Sequence, residues 1–332
     1  MAAITPKSVA LENKPVRSES QWETVLRRFA RHRMAMISLF ILVIIFGLSI
    51  FAPIITPFPR DQIDQSRRFF QPLTINPETG EMHWFGTDHL GRDYYTRLLY
   101  AARVSLTVAV TSTLLSTLIG LTLGMLAGYF GGWVDMIISR TLEFVATFPL
   151  LVILLILVAV LLDNENLIPI PGFVLNIIMA ITSVDRIDNA RVIAVVILTI
   201  ALLFWTGTAR LMRGMVLSVR EQPFIESSRA LGGSNLRIMT RHVFPNAFPP
   251  IIVDFTLGLN GILVLESSLS FLGFGIQDPI PTWGNMLNFA QSYAFQHPWM
   301  TLVAGLPILL TSLAINYVGD GLRDALDPKM KI

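Results

Sequence analysis

One polar stretch between two apolar segments decides the architecture of this chain: Arg220-Glu-Gln-Pro-Phe-Ile-Glu-Ser-Ser-Arg-Ala-Leu-Gly-Gly-Ser-Asn-Leu-Arg-Ile-Met-Thr-Arg-His-Val-Phe-Pro245. We call it the elbow, because its residues predict two short helices joined by a bend. Pro223 suits a first helical position, where its missing N–H would be unpaired in any case. Gly232–Gly233 is expected to end the first helix. Ser234 is expected to cap the second helix, and Pro245 to stop it.

The first helix of the elbow is predicted to be amphipathic. Phe224, Ile225 and Leu231 form an apolar side, and Glu226 and Arg229 lie three residues apart on another side. Together with the further arginines of the stretch, this pattern indicates an element that docks into a groove on another protein. A basic loop that obeys the positive-inside rule is the alternative interpretation.

The elbow also carries a family resemblance. Glu226-Ser-Ser-x-x-x-Gly232, followed by Phe244-Pro245, resembles the EAA loop of ABC importer permeases, with two serines where that motif has two alanines. In that family the loop forms the coupling helix held by the ATPase subunit. The resemblance therefore implies an ATPase-coupling role for the matching residues, which are Glu226, Ser227, Ser228, Arg229, Ala230, Leu231 and Gly232.

The composition excludes a water-soluble domain. Hydrophobic residues make up 53% of the chain, charged residues only 14%, and the mean hydropathy is +0.60. A typical globular chain has about 25% charged residues. Because the apolar residues form long runs, we expect an all-α membrane protein. The chain has no cysteine, which excludes thiolate metal sites and cysteine nucleophiles, and its net charge of +2 gives no reason to expect a nucleic-acid partner.

Six transmembrane helices are predicted, over about residues 37–55, 104–127, 137–162, 192–211, 248–265 and 300–318. The second contains Gly120, Gly124 and Gly128, and small residues one turn apart let helix backbones approach closely. We therefore expect this span to pack against other helices rather than lipid. Pro149 and Pro307 permit kinks in the third and sixth spans.

These spans divide the chain into four parts: a tail (1–33), the first span with an external segment (34–103), a core with five spans (104–320) and a second tail (321–332). A short amphipathic helix is expected over 22–31. The core contains an external insertion, 163–191, whose apolar run is too short to cross a membrane. We expect an interfacial or re-entrant helix there.

The distribution of positive charge predicts the orientation in the membrane. Of the 25 Lys and Arg residues, 17 lie in the two tails and in the even-numbered loops. Because positively charged loops stay inside, both termini and the elbow between spans 4 and 5 are expected to be cytoplasmic.

Two further motifs fall in the predicted external segments. Phe85-Gly-Thr-Asp-His-Leu-Gly-Arg-Asp93 precedes the second span. Its aspartates and His89 could be metal ligands. We favour a structural role, in which Thr87 or Asp88 caps a helix, and Arg92 and Asp93 form local hydrogen bonds. The motif resembles a signature of the peptide/nickel subfamily of these permeases.

The second motif follows the fifth span: Glu266-Ser-Ser-Leu-Ser-Phe-Leu-Gly-Phe-Gly275, with Pro281-Thr-Trp-Gly-Asn-Met-Leu287 after it. It is similar to the same subfamily's segment at this place. Its glycines among aromatic residues indicate a bent loop or half-helix at the mouth of a pathway, and a plain tight loop is the alternative. The candidate pathway or gate residues are Asp254, Glu266, Phe271 and Gly273.

Asp254 lies within the fifth predicted span, where an unpaired charge is costly. It is expected either to face a water-filled path or a partner in the bundle, or to reach toward the cytoplasmic headgroups. Arg140 and Glu143, three residues apart at the start of the third span, are expected to pair with each other.

The sequence predicts a non-enzymatic subunit. No G-x-x-x-x-G-K-[ST] motif occurs, so ATP would be hydrolysed by a separate chain, and no cofactor or metal is expected. The resemblance to C-type subunits of dipeptide and oligopeptide importers implies an inner-membrane permease subunit of a bacterium or archaeon. It would form half of the pathway for a peptide-like solute. The implied partners are a second homologous permease subunit, two ATP-binding subunits, an external substrate-binding protein and membrane lipid.

Two other classes of function are open at this point. One is a passive channel or membrane scaffold whose basic elbow binds anionic lipid. The other is a membrane-embedded enzyme that uses Asp254 and Glu266. Twelve residues separate these two carboxylates, roughly 18 Å along a helix, which is too far for one acid–base pair. A nickel complex or an oligosaccharide is an alternative to a peptide as substrate.

Overall fold

The computed structural model describes residues 21–77, 80–163 and 167–326. The ends of the two predicted tails, 1–20 and 327–332, two residues of the predicted external segment and three residues of the insertion lie outside these ranges. The described part is mostly helical, and it includes one two-stranded antiparallel hairpin in the segment predicted to be external.

The helices and strands follow one another in this order: α1 Gln21–Arg31, α2 Arg33–Ile50, α3 Ala52–Ile55, β1 Thr74–Ile75, β2 Met82–His83, α4 Tyr94–Phe130, α5 Gly132–Thr147, α6 Leu150–Asp163, α7 Gly172–Thr182, α8 Ile187–Arg220, α9 Pro223–Ala230, α10 Asn235–Ile238, α11 Phe244–Ala247, α12 Pro249–Phe271, α13 Trp283–Ser292 and α14 Pro298–Leu326. The predicted amphipathic helix over 22–31 is confirmed as α1.

Among the described residues, five helices are long and apolar enough to cross a membrane: α2, α4, α8, α12 and α14. The third predicted span is different. It consists of α5 and α6, which are bent by 89° at their junction. Phe148 in the junction has an extended backbone, as sterics demand of a residue before a proline, and Pro149 follows it. The predicted kink at Pro149 is therefore confirmed, and the third predicted span is a pair of sharply bent helices rather than one straight helix.

Several helices extend well beyond the predicted spans. α4 begins at Tyr94, within the segment predicted to be external, and α8 continues to Arg220. α12 runs to Phe271, so the assignment of Glu266–Phe271 to an external loop is wrong. The polar side chains there are compatible with a helix because they bond to each other: Ser270 Oγ donates to Glu266 Oε1 at 2.9 Å.

The glycines of α4 pack directly against α8, which confirms the predicted helix contact. A Cβ atom on Gly120 would lie 2.6 Å from the carbonyl oxygen of Trp205, and one on Gly128 would lie 2.8 Å from Cβ of Val216. A Cβ on Gly124 would clash with the carbonyl oxygen of Ala209. Backbone therefore lies against backbone at three positions about one turn apart on α4, as small residues allow in lipid.

Both ends of the described chain lie at the end of the bundle that carries the elbow. His32 before α2 is 3.8 Å from Asp324 near the end of α14. Arg323 lines a groove together with Leu211 of α8 and Pro249 of α12. The hairpin, the loop before α4 and α13 lie at the opposite end. In the insertion, α7 spans only Gly172–Thr182, which is as short as the sequence predicts. It packs on the bundle through its buried residues.

The glycine contact predicts a measurable loss of stability. Gly124→Ala would place a methyl group against the backbone of α8, and overpacking of this kind costs about 1–3 kcal/mol. We expect the thermal unfolding midpoint of the purified protein in detergent to fall. The matched control is Gly207→Ala on α8, where a new Cβ meets no atom within 4 Å. An equal midpoint for the two variants would contradict this account of the contact.

The candidate coupling elbow and pathway face

The first helix of the elbow forms as its sequence predicts. α9 begins at Pro223, which occupies the first turn, and ends at Ala230. Gly232 then adopts φ +79°, the left-handed conformation that favours glycine, and no atom would lie within 4 Å of a Cβ added there. Gly233 is different, because its added Cβ would lie 2.8 Å from the carbonyl oxygen of Ser228. The first glycine therefore serves the turn and the second serves close packing.

The second helix of the elbow begins as predicted and does not end as predicted. Ser234 caps α10 by accepting a hydrogen bond from the backbone N–H of Arg237 at 3.4 Å. Pro245 does not stop the helix, and that prediction is wrong. The chain continues through a π-helical turn, Met239–Val243, into α11 and then α12. The wider π turn carries the chain to α11, where Pro245 lies in the first turn and its missing N–H is tolerated.

The apolar side predicted for α9 is divided in two. Ile225 is fully buried. It belongs to a cluster with Tyr129 of α4, Met212 of α8 and Ile251 of α12. Phe224 and Leu231 are instead 45% and 88% exposed. Ile225 thus holds α9 to three long helices, whereas Phe224 and Leu231 are exposed at the surface.

Three polar contacts fix the elbow to the end of α4. Tyr129 donates its hydroxyl to Oδ1 of Asn235 at 3.0 Å, and the guanidinium of Arg229 lies 5.6 Å from the centre of the Tyr129 ring. Arg220 donates to the carbonyl oxygen of Gly128 at 2.9 Å. Of the seven residues predicted to couple to the ATPase, all except the half-buried Ser228 are exposed.

α12 presents one accessible face. Asp254, Leu257, Gly261, Val264 and Phe271 recur at helical spacing along it and are exposed or half-buried. Asp254 and Phe271, two of the predicted pathway residues, therefore share a face of α12.

Asp254 bonds to a neighbouring helix and also lines a groove. Its Oδ2 accepts a hydrogen bond from Thr208 Oγ1 of α8 at 2.6 Å. The groove has a volume of about 460 Å³ and lies between α8, α12 and the end of α14. Of the two placements expected for this carboxylate, a partner within the bundle is the one observed.

Glu266 lies on the opposite, buried face of α12, with 1% of its surface exposed. The helix ends at Phe271. The carbonyl oxygen of Phe271 accepts a hydrogen bond from Asn288 Nδ2 at 2.6 Å, and Gly273 adopts φ +86°. The structure therefore separates Glu266 from the accessible face and places Gly273 at the exposed end of the helix. Their role in a pathway or gate stays a prediction.

An ion network lies at the other end of the bundle, and the sequence does not predict it. Asp278, in the loop after α12, accepts from Arg97 Nη2 at 2.7 Å and from Arg92 Nη1 at 2.9 Å. Burial alone would raise the pKa of Asp278, but the two guanidinium groups outweigh it and hold the pKa below its ordinary value. The pairing joins residues far apart in the chain, and no local pattern signals it.

The motif before α4 has a structural role, although its cap is a different residue. Asp93 caps α4 by accepting from the backbone N–H of Thr96 at 2.7 Å, so the prediction of Thr87 or Asp88 is wrong. Asp88 instead pairs with Arg92 at 2.7 Å. Within the described ranges, no three His, Asp or Glu side chains are grouped as metal ligands would be. The predicted pair Arg140–Glu143 is confirmed at 2.6 Å.

Two family models match this chain. The model described as binding-protein-dependent transport system inner membrane component matches residues 120–332, which include the elbow and α12. The model described as N-terminal TM domain of oligopeptide transport permease C matches residues 20–72.

Known proteins match over nearly the whole chain. It is 36% identical to the dipeptide transport system permease protein DppC of Alkalihalophilus pseudofirmus, over 94% of this chain and 91% of that protein. It is 37% identical to the glutathione transport system permease protein GsiD of Shigella flexneri, over 96% and 94% of the two chains.

Solved structures with similarity include an inward facing MetNI methionine ABC transporter, with 20% identity, a TM-score of 0.45 and coverage of 70% of this chain and 96% of that one. Another is an amino acid ABC transporter crystallised with histidines, with 15% identity, a TM-score of 0.47 and coverage of 68% and 92%. The family matches and the two whole-length relatives are decisive: the chain belongs to the inner-membrane components of binding-protein-dependent transport systems, within the peptide/nickel branch of ABC importer permeases.

Proposed function

We propose that this permease subunit forms half of the membrane pathway for a peptide-like solute and that its elbow transmits the motion of separate ATPase subunits. The observation that carries the proposal is the division of α9. Ile225 is buried against three long helices, whereas Phe224 and Leu231 are exposed at the surface. Such an element is held firmly by its own chain and displays apolar side chains to a partner.

The elbow is mechanically continuous with the accessible face of α12. From α10 the backbone passes through the π turn and α11 into α12 without an intervening loop. A displacement of α9 by an ATPase would therefore move α12, and with it Asp254. Transport would follow from a shift between two arrangements of the bundle rather than from covalent chemistry in this chain.

The same geometry supports the orientation and the partners that we propose. The elbow and the described ends of the chain share one end of the bundle, and the excess of Lys and Arg supports a cytoplasmic placement of that end. Two ATP-binding subunits would hold the elbows of this chain and of a second homologous permease, which would cover the accessible face of α12. An external substrate-binding protein would dock at the opposite end. Within this arrangement 104–320 is the transport core.

A peptide is the substrate that the relatives favour. Their names specify a dipeptide and glutathione, both of which carry an amino group. Asp254 is a carboxylate on the accessible face of α12 and would attract that ammonium group through a charge-assisted hydrogen bond.

A substitution at Gly232 tests the coupling. Gly232→Val forces a β-branched residue into the left-handed region, which costs roughly 1–2 kcal/mol and reorients the elbow. We expect ATP hydrolysis by the assembled transporter to persist while peptide uptake into proteoliposomes is lost. Gly232→Asn is the matched control, because asparagine tolerates this conformation and should keep uptake coupled. Coupled uptake by the valine variant would contradict the proposal, and solute flux without ATP would favour a passive channel.

A substitution at Asp254 tests its role in the pathway. Asp254→Asn keeps the shape and the bond to Thr208 but removes the charge. Loss of a charge-assisted hydrogen bond costs about 1.5–3 kcal/mol, so we expect peptide uptake at low concentration to fall about tenfold or more. Glu143→Gln, an exposed carboxylate paired on α5, is the control and should leave uptake unchanged. Equal uptake by both variants would remove Asp254 from the pathway.

A further inference from the structure

A groove on the membrane-facing surface lies away from the accessible face of α12. It opens between α2, α4 and α7 and has a volume of about 390 Å³. Small-molecule sites in proteins span roughly 300–1,000 Å³, so the groove is large enough to hold part of a ligand. Its walls are mainly apolar, with Phe46 from α2, Leu106 and Val110 from α4 and Ile181 from α7.

One cationic side chain lies in this groove. Arg103 donates from Nε to the carbonyl oxygen of Ile181 at 2.9 Å. Its Nη1 is buried and has no hydrogen-bond partner within the described part of the chain. Buried donors are nearly always paired, and an unpaired charged one is especially costly. The free N–H groups of the guanidinium therefore call for an anionic acceptor that the described residues do not provide.

The position of Arg103 matches the boundary between hydrocarbon and headgroups. α2 ends at Ile50, near the end of the first predicted span over 37–55, and Ile50 lines the same groove. From Arg103, the residues Leu106 and Val110 follow at helical spacing on the same side of α4, toward the middle of the bundle. The groove thus has a charged group at the level where arginines reach the membrane interface, with an apolar track leading inward.

We propose that this groove binds an anionic phospholipid, with its phosphate on the Arg103 guanidinium and an acyl chain along Leu106 and Val110. The planar guanidinium suits a phosphate, because it offers parallel N–H donors. The groove opens toward lipid rather than water, since α2 is mostly exposed on the outside of the bundle and is apolar after Arg33 except for two serines. A bound lipid would fill the space between the first span and the core.

The test is native mass spectrometry of the intact transporter, purified in mild detergent and titrated with dioleoyl phosphatidylglycerol. The assembly containing Arg103→Gln should retain one phosphatidylglycerol fewer per copy of this subunit, with apparent affinity reduced about tenfold. Arg186→Gln, an exposed arginine outside the groove, is the matched control and should behave as the unmodified protein does. Dioleoyl phosphatidylcholine should bind more weakly than phosphatidylglycerol at the same site.

A second variant guards against misfolding of the first. Val110→Trp leaves Arg103 in place and fills the apolar track, so it should also lose the lipid. Retention of the lipid by both variants would overturn the proposal, as would equal retention of phosphatidylcholine. A photoreactive residue in place of Thr107 provides an independent readout: labelling of phospholipid supports the site, whereas labelling of the second permease subunit would show that a protein covers the groove.

Discussion

The contact of α4 with α8 sets the position of every functional element in this subunit. Three glycines bring the two backbones together along α4, and the close contacts that an added Cβ atom would make show how little space remains. The partner helix α8 leads directly into the elbow, and the end of α4 supports the elbow through Tyr129 and Gly128. At its other end α4 carries Arg97, which binds the loop after α12. In lipid, where apolar burial gives little drive, such close packing holds helices together.

This arrangement separates rigid parts of the subunit from deformable ones. Three contacts hold the elbow in place. Ile225 is buried, the Tyr129 hydroxyl donates a hydrogen bond to Asn235, and the Arg229 guanidinium lies over the Tyr129 ring. The subunit has two irregular places: the π turn within the elbow and the 89° break between α5 and α6. π turns and proline breaks are positions where helices bend. Motion received at α9 would therefore move the accessible face of α12 without dismantling the contact of α4 with α8.

Local signals in the sequence are sufficient for the first helix of the elbow, for the start of its second helix and for most spans. Pro223, Gly232 and Ser234 act through their own backbone neighbours, so their roles can be deduced from adjacent residues alone. The prediction for Pro245 is wrong because a π turn just before this proline places it in the first turn of a new helix. Predicted helices are too short wherever polar side chains bond to each other inside the bundle, as Glu266 does with Ser270. Asp278 pairs with Arg97 of α4 and with Arg92 of the loop before α4. These pairs are long-range, and a single sequence contains no signal for them.

The central claim is that the exposed apolar residues of the elbow contact an ATPase subunit, and crosslinking tests it most directly. A photoreactive phenylalanine analogue would replace Leu231, which is 88% exposed, in the transporter within its native membrane. The same analogue in place of Phe295, a fully exposed residue at the opposite end of the bundle, is the control. We expect illumination to join position 231, and not position 295, to a nucleotide-binding subunit identified by mass spectrometry. Labelling of lipid alone at position 231, in a transporter that still takes up its solute, would contradict the account.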